Sequence, residues 1–176
     1  FLVSRARAIP EALGLPYRYE LVTRQARPAL RADRERIAVA AGTPLIDVTS
    51  RHFAGAEPFC LEERLVNLDA VPDAGLEPFN QMAPGPWLLA RVPWSAAEHQ
   101  IGAAAVTGPA AALLAVPRGA ACLTVDRRTW SDGKPVTHVR LTYPGDRHQL
   151  VAQFAPATHA KTWPASRKPA RHSNPS

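Results

Sequence analysis

Apolar and polar positions alternate in four stretches of this chain, and the stretches come in pairs. Leu45–Phe53 is followed by Phe59–Val66, and Cys122–Trp130 by Val136–Tyr143. Successive side chains on an extended backbone point to opposite faces, so each stretch predicts a strand. Ala54-Gly55 joins the first pair, and Ser131-Asp132-Gly133 joins the second with a strong hairpin signal. A short helix is predicted ahead of each hairpin, over Arg31–Ala40 and over Ala110–Val116. Pro109 suits the first turn of the second, and Gly42 and Gly119 are expected to end the two helices. Tyr17-Arg18-Tyr19 and Leu21–Arg27 alternate as a further strand, and Pro86–Val92 reads as a short helix.

The pairing is an internal repeat. At an offset of 77, without gaps, Gly42 falls on Gly119, Ile46 on Leu123, Val48 on Val125, Arg51 on Arg128, Phe53 on Trp130 and Pro58 on Pro135. Upstream, Ile37 and Val39 fall on Leu114 and Val116. Alanine matches are cheap in so alanine-rich a chain, whereas Gly, Pro, Arg and aromatic matches in one register indicate a duplicated unit. The repeat also bears on a contested segment. Ser95-Ala-Ala-Glu98 has the form of a capping box and favours a helix to Val106. The offset sets that stretch against Leu21–Arg27, so a strand is expected over 98–105. Two helix-plus-hairpin units with short loops predict an α+β domain: one antiparallel sheet with flanking helices.

Charge changes the picture once it is located. The chain has 176 residues and a formal net charge of +6. Residues 1–36 hold eight Arg against Glu11, Glu20, Asp33 and Glu35, and 156–176 hold Lys161, Arg167, Lys168 and Arg171 without an acid, so each end carries +4. The middle, with nine basic and eleven acidic residues, balances at −2. A domain that tracks phosphates along a groove is not charged in this way. Cys60 and Cys122 lack zinc-site spacing and read as two buried thiols of a cytoplasmic protein. The alanine-rich run Ile101–Val116 breaks at Gly108-Pro109 and is too weak to span a bilayer. Residues 156–176, rich in Pro, Ala, Lys and Arg, are expected to form a disordered basic tail. The chain opens on Phe1 rather than Met, as a fragment or a processed product would.

Candidate chemistry lies on the inner faces of the strands. Along Ile46, Val48, Ser50 and His52 the face turns from apolar to polar, as it does along Leu123, Val125, Arg127 and Thr129. On the return strands Cys60, Glu62 and Arg64 correspond to Thr137, Val139 and Leu141, with Tyr143 beyond. Inward polar residues need partners, and a ligand can supply them. Plainer readings stand beside this one: Arg127 paired with Asp126 or Glu63, a Glu62–Arg64 ion pair, and a structural His52. Phe53 and Trp130 read as cross-strand packing. Nucleotide-binding, zinc-hydrolase and serine-hydrolase motifs are absent. Glu62 and Glu63 are strand neighbours on opposite faces and cannot act as a carboxylate pair. No catalytic residue, metal or cofactor is expected.

Four segments carry a family resemblance: Pro58-Phe-Cys-Leu-Glu-Glu-Arg-Leu-Val-Asn67, Val92-Pro-Trp-Ser-Ala-Ala-Glu-His-Gln-Ile101, Arg127-Arg-Thr-Trp130 and Pro135-Val-Thr-His-Val-Arg-Leu-Thr-Tyr-Pro-Gly-Asp-Arg-His148. Together they resemble the UTRA effector-binding domain of GntR-type transcription regulators, most of all the histidine-utilisation repressors of the HutC subgroup. The resemblance covers residues 10–155. It implies a chorismate-lyase-like fold and a homodimer that releases operator DNA when an effector binds. For this subgroup the effector is urocanate. Phe1-Leu-Val resembles the end of the wing of the DNA-binding domain, so residues 1–9 are expected to be linker from that domain, which would carry the DNA contacts.

The resemblance also sets expectations for the site. Sugar-phosphate-sensing relatives carry two arginines where this chain has Ser50 and His52, which speaks against a phosphosugar and suits a planar imidazole acid. The family's glutamate falls on Glu62, a second acidic contact on Thr137, and the arginine of the second unit on Arg127. Arg127 or Arg64 is expected to hold the urocanate carboxylate, and Glu62, His52 or Thr137 to bond the imidazole, with Tyr143 against its plane. Two other classes are an enzyme of chorismate-lyase type and a ligand-free dimerisation module.

Overall fold

A computed structural model describes residues 13–149 of the chain. The expected linker 1–9 and basic tail 156–176 lie outside those residues. Strands β1 (Tyr17–Pro28), β2 (Pro44–Ala54), β3 (Glu57–Asn67), β4 (Ala96–Ala105), β5 (Ala121–Ser131) and β6 (Lys134–Pro144) form one antiparallel sheet in the order β1-β2-β3-β6-β5-β4. Among the described residues, short helices accompany them at α1 (Asp33–Ile37), α2 (Pro84–Arg91) and α3 (Gly108–Leu113).

The sheet order displays the repeat. The spans of β2 and β3, moved by the repeat offset, become those of β5 and β6. The two halves meet where β3 pairs with β6, and near the centre of that ladder Glu63 stands opposite Arg140, its own repeat counterpart. A pseudo-two-fold axis therefore passes through this pair. Even the irregularities obey it: the β2–β3 ladder shifts register between His52 and Phe53, and the β5–β6 ladder between Thr129 and Trp130. The contested segment is strand β4, because pairing with β5 from Ala96 opposite Trp130 to Ala105 opposite Ala121 outweighs a local capping signal.

Both helices that precede the hairpins are shorter than the sequence predicts, and Gly42 and Gly119 do not end them. Helix α1 stops at Ala38 (φ 59°), and α3 is followed by Ala115 (φ 51°), so alanines take the left-handed conformation. The glycines, at φ 86° and 84°, turn the chain into β2 and β5. Each helix crosses to the other half, α1 against β6 and α3 against β3. On this face Ile37 packs with Leu45 and Leu65, and Leu114 with Leu61 and Cys122.

The opposite face is covered differently. The segment between the two repeats, with a 3₁₀ turn at Pro72–Gly75 and helix α2, lays Phe79, Trp87 and Leu88 on Ile46, Val48 and Val66. Proline in the first turn of α2 suits a position whose N–H has no helical partner. From β1, Tyr19 donates to the Phe79 carbonyl at 2.8 Å, and Arg24 reaches the Glu77 and Gly75 carbonyls at 2.8 and 2.7 Å. This cover closes over the polar residues described next.

Candidate functional site

Strand pairing arranges the inward face as rows across the sheet. One row runs Leu21, Ser50, Glu62, Leu141, Val125 and Ile101; the next runs Val48, Arg64, Val139, Arg127 and His99. Arg64 and Arg127 thus flank Val139 from the two sides. With strands about 4.8 Å apart, their backbones stand about 10 Å apart, close enough for two long side chains to converge. Each arginine has an uncharged repeat counterpart, Leu141 for Arg64 and Ser50 for Arg127, so the two halves have diverged at this site.

Glu62 is at the centre and is buried. His52 Nε2 lies 2.9 Å from its Oε2, and Arg64 Nε donates to its Oε1 at 2.7 Å. Burial works against its charge, but the Arg64 guanidinium and the His52 ring hold the carboxyl well below the usual carboxylate range. The Tyr17 hydroxyl lies 2.7 Å from His52 Nδ1. The two contacts leave both ring nitrogens of His52 partnered, one by Glu62 and one by Tyr17. Arg64 Nη1 extends the chain to Thr137 Oγ1 at 3.4 Å, and Thr137 donates to the Leu65 carbonyl at 2.7 Å.

On the strands of this face, Arg127 and Ser50 each keep a polar group open, and in the cover above them Trp87 Nε1 is likewise buried without a partner. Arg127 Nε is buried without a hydrogen-bond partner, and burial together with the nearby Arg64 lowers the Arg127 pKa. The Ser50 hydroxyl is buried beside Tyr19 but completes no hydrogen bond of good geometry. Burial and the Glu62 charge push Tyr19 up to about 12, so it stays a neutral donor. On the far side of Arg127, His99 is held below its ordinary pKa by burial and by the arginine's charge.

The seven residues singled out in the sequence share this face, but not in equal states. The Glu62–Arg64 ion pair forms along β3, while Arg127 pairs with neither Asp126 nor Glu63; Asp126 serves His138 and Arg140 on the opposite face. Both nitrogens of His52 are committed. Tyr143 is fully buried, and the His148 ring stacks on it at 4.1 Å and 11°.

The sequence reading missed Tyr17 and Tyr19, which flank the His52 ring at 5.9 and 5.7 Å. Their spacing marked a strand, and only pairing with β2 makes them part of the site. It also missed Gly85, where a Cβ would stand 3.2 Å from Arg64 Nη2, so the first turn of α2 rests on the guanidinium. Cys60 and Cys122 are free buried thiols. Among the described residues, no helix is long and apolar enough to cross a membrane.

Comparison with known proteins follows the same lines. The UTRA domain matches residues 12–149. A histidine utilization repressor from Pseudomonas putida is 36% identical over 104 residues, which are 59% of this chain and 42% of that protein. The chain therefore spans less than half the length of this curated relative, which is a transcriptional repressor rather than an enzyme. Among solved structures, the C-terminal domain of the histidine utilization repressor from Pseudomonas syringae pv. tomato superposes with a TM-score of 0.74 at 28% identity, covering 80% of this chain and 99% of that one. The effector domain of PhnF from Mycobacterium smegmatis superposes equally well, with a TM-score of 0.74 at 18% identity, over 85% and 93% of the two chains. The α+β fold is the chorismate-lyase-like one, with the two helices ahead of the hairpins shorter than expected.

Proposed function

Because the chain belongs to the UTRA domain family, we propose that it is the effector-sensing and dimerisation domain of a repressor of histidine utilisation. In this reading it binds urocanate or a similar small imidazole acid, and operator DNA is released through a DNA-binding domain elsewhere in the protein. The observation that carries it is the cationic surplus around Glu62: two guanidinium groups, one carboxylate, and a buried Arg127 Nε without a partner. A ligand carboxylate between Arg64 and Arg127 neutralises the surplus and accepts charge-assisted bonds from both. It also relieves a repulsion, since the positive end of helix α2 lies against Arg64 at Gly85.

The imidazole end meets a more demanding surface. His52 and Glu62 already satisfy one another, so a ligand bonding either must replace one of their hydrogen bonds. Ser50 can accept a ring N–H without that exchange, and Thr137 can do so where Arg64 releases it. Tyr143 meets the ligand plane where His148 now stacks.

Titration calorimetry of the chain with urocanate tests the reading. Saturable binding is expected, with much weaker binding of neutral imidazole because the carboxylate is the anchor. No heat at millimolar urocanate overturns it.

A further inference from the structure

The outer face of the sheet, turned away from Glu62 and Arg127, has a polar hollow of its own. Helix α1 and the outward side chains of β4, β5 and β6 line a cavity of about 290 Å³. That is the small end of ligand sites, which run to roughly 300–1,000 Å³, so the hollow suits a small metabolite and not a nucleotide.

The repeat shows that the fold does not need a polar surface there. His138, Arg36 and Glu35, which line the cavity, have Leu61, Leu113 and Ala112 as counterparts in the other half. In that half Leu61 belongs to an apolar cluster against which Leu113 packs. Where one half packs hydrocarbon, the other keeps two opposite charges and an imidazole.

Several polar groups of the hollow serve one another. Asp126 accepts from Arg140 Nε and Nη2 at 3.0 Å each, and its Oδ1 lies 3.0 Å from His138 Nε2. Arg128 bonds the Glu98 carboxylate and the carbonyls of Glu35 and Arg36. Three groups are left over. His138 is 2% exposed, and its Nδ1 is buried without a hydrogen-bond partner. The Asp126 carboxylate only accepts, so the ring proton is on Nε2. Burial and the Arg36 charge keep the ring neutral down to about pH 4, which leaves Nδ1 a bare acceptor. The Arg36 guanidinium and the Glu35 carboxylate, neighbours on α1, have no hydrogen bond or ion pair among the described residues.

These three groups ask for one kind of molecule. Arg36 needs an anion, Glu35 a cation, and Nδ1 a donor. An ammonium answers the last two together, because it carries three N–H donors and no acceptor. A simple anion leaves Nδ1 and Glu35 without partners, and a simple amine leaves Arg36.

We propose that this hollow is a second ligand site, for a small zwitterion of the α-amino acid class. The carboxylate meets Arg36, the ammonium sits between His138 Nδ1 and Glu35, and the Gln100 amide on β4 can bond either end. The site is back to back with the inward one, across β5 and β6, and does not depend on the effector reading.

Nitrogen NMR of the His138 ring in the full chain tests the proposal, with L-alanine, L-glutamine and L-histidine as probes and acetate and ethylamine as half-ligands. At least one amino acid should shift the Nδ1 signal saturably, and both half-ligands should bind about tenfold more weakly, the scale of one lost charged hydrogen bond. Arg36→Gln and His138→Phe should each weaken the amino acid by about the same factor. Arg36 is half-buried on the surface, so its variant gives an answer even where the buried His138→Phe fails to fold. Urocanate affinity should change by less than about threefold in Arg36→Gln, as for a residue remote from that ligand. An Nδ1 signal unmoved at about 20 mM of every amino acid, well above a millimolar Kd, overturns the site. So does acetate binding as tightly as the amino acids, which marks an adventitious ion only. Binding that is lost in Arg127→Ala and kept in Arg36→Gln belongs to the inward face and overturns it as well.

Discussion

Arg51 and Arg128, repeat counterparts of one another, each hold the helix that belongs to the other half of the molecule. Arg51 on β2 bonds Glu20 of β1 and donates from Nη1 to the Leu113 carbonyl at the end of α3, at 3.2 Å. Arg128 on β5 bonds Glu98 of β4 and donates from Nε to the Arg36 carbonyl near the end of α1, at 2.8 Å, with Nη2 on the Glu35 carbonyl. Both guanidinium groups satisfy carbonyls that the last turn of a helix leaves without intrahelical donors. Helices of five and six residues have little stability of their own. These two arginines lock each helix onto the opposite half, and the halves onto each other.

Arg51→Ala and Arg128→Ala should therefore each destabilise the fold by about 1–2 kcal/mol, the scale of lost hydrogen bonds to a charged group. Urea unfolding of the chain measures both. Because the residues sit in different halves without a shared partner, the double variant should lose close to the sum. A surface-like loss of a few tenths of a kcal/mol would show that the clamps are incidental.

Ligand affinity should separate Arg127 from Arg51. Arg127→Ala removes one of two guanidinium groups facing the carboxylate and should weaken urocanate binding about 10- to 100-fold, the worth of a charge-assisted bond. Arg51 is on the other face, bonded to Glu20 and Leu113, and Arg51→Ala should change binding by less than about threefold, within the small effect expected of a residue without ligand contact. Calorimetry on the two variants reads the order, and the reverse order would exclude the site described.

His138 makes the stability depend on pH. Burial, together with the Arg36 charge, holds its pKa down to about 4 from the ordinary 6.5. The unfolded chain thus binds a proton near pH 6.5 that the folded chain refuses until about pH 4. Between those values the unfolded state carries more protons, so stability falls as pH falls, and this contribution levels off below about 4. Urea midpoints at a series of pH values should show the decline, and His138→Gln should flatten it over that window.

Much of the architecture was legible because it depends on local periodicity. Alternation marked the strands to within two residues at most ends, and the repeat offset correctly set β4 against a capping signal. The exposed, small-residue character of β4 misleads a local reading, since alanines with a Ser-x-x-Glu start resemble a helix until β5 is beside them. The helix ends mislead for a related reason. Glycine at 42 and 119 was the natural stop, but the chain turns earlier at Ala38 and Ala115, where packing against the sheet sets the conformation.

For the site, side-chain alternation placed Ser50, His52 and Arg127 on the inward face, and the repeat correspondence with the apolar second return strand added Glu62, Arg64, Thr137 and Tyr143. The sequence also located the charge, and showed that the excess lies at the two ends rather than in the middle. Only the tertiary structure decided who satisfies whom. Pairing of β1 with β2 brings Tyr17 and Tyr19 to His52, closing its nitrogens, and the seating of α2 brings Gly85 to Arg64. The difference is physical: facing is a property of one strand, while hydrogen-bond partnership depends on segments that meet only after the chain has folded.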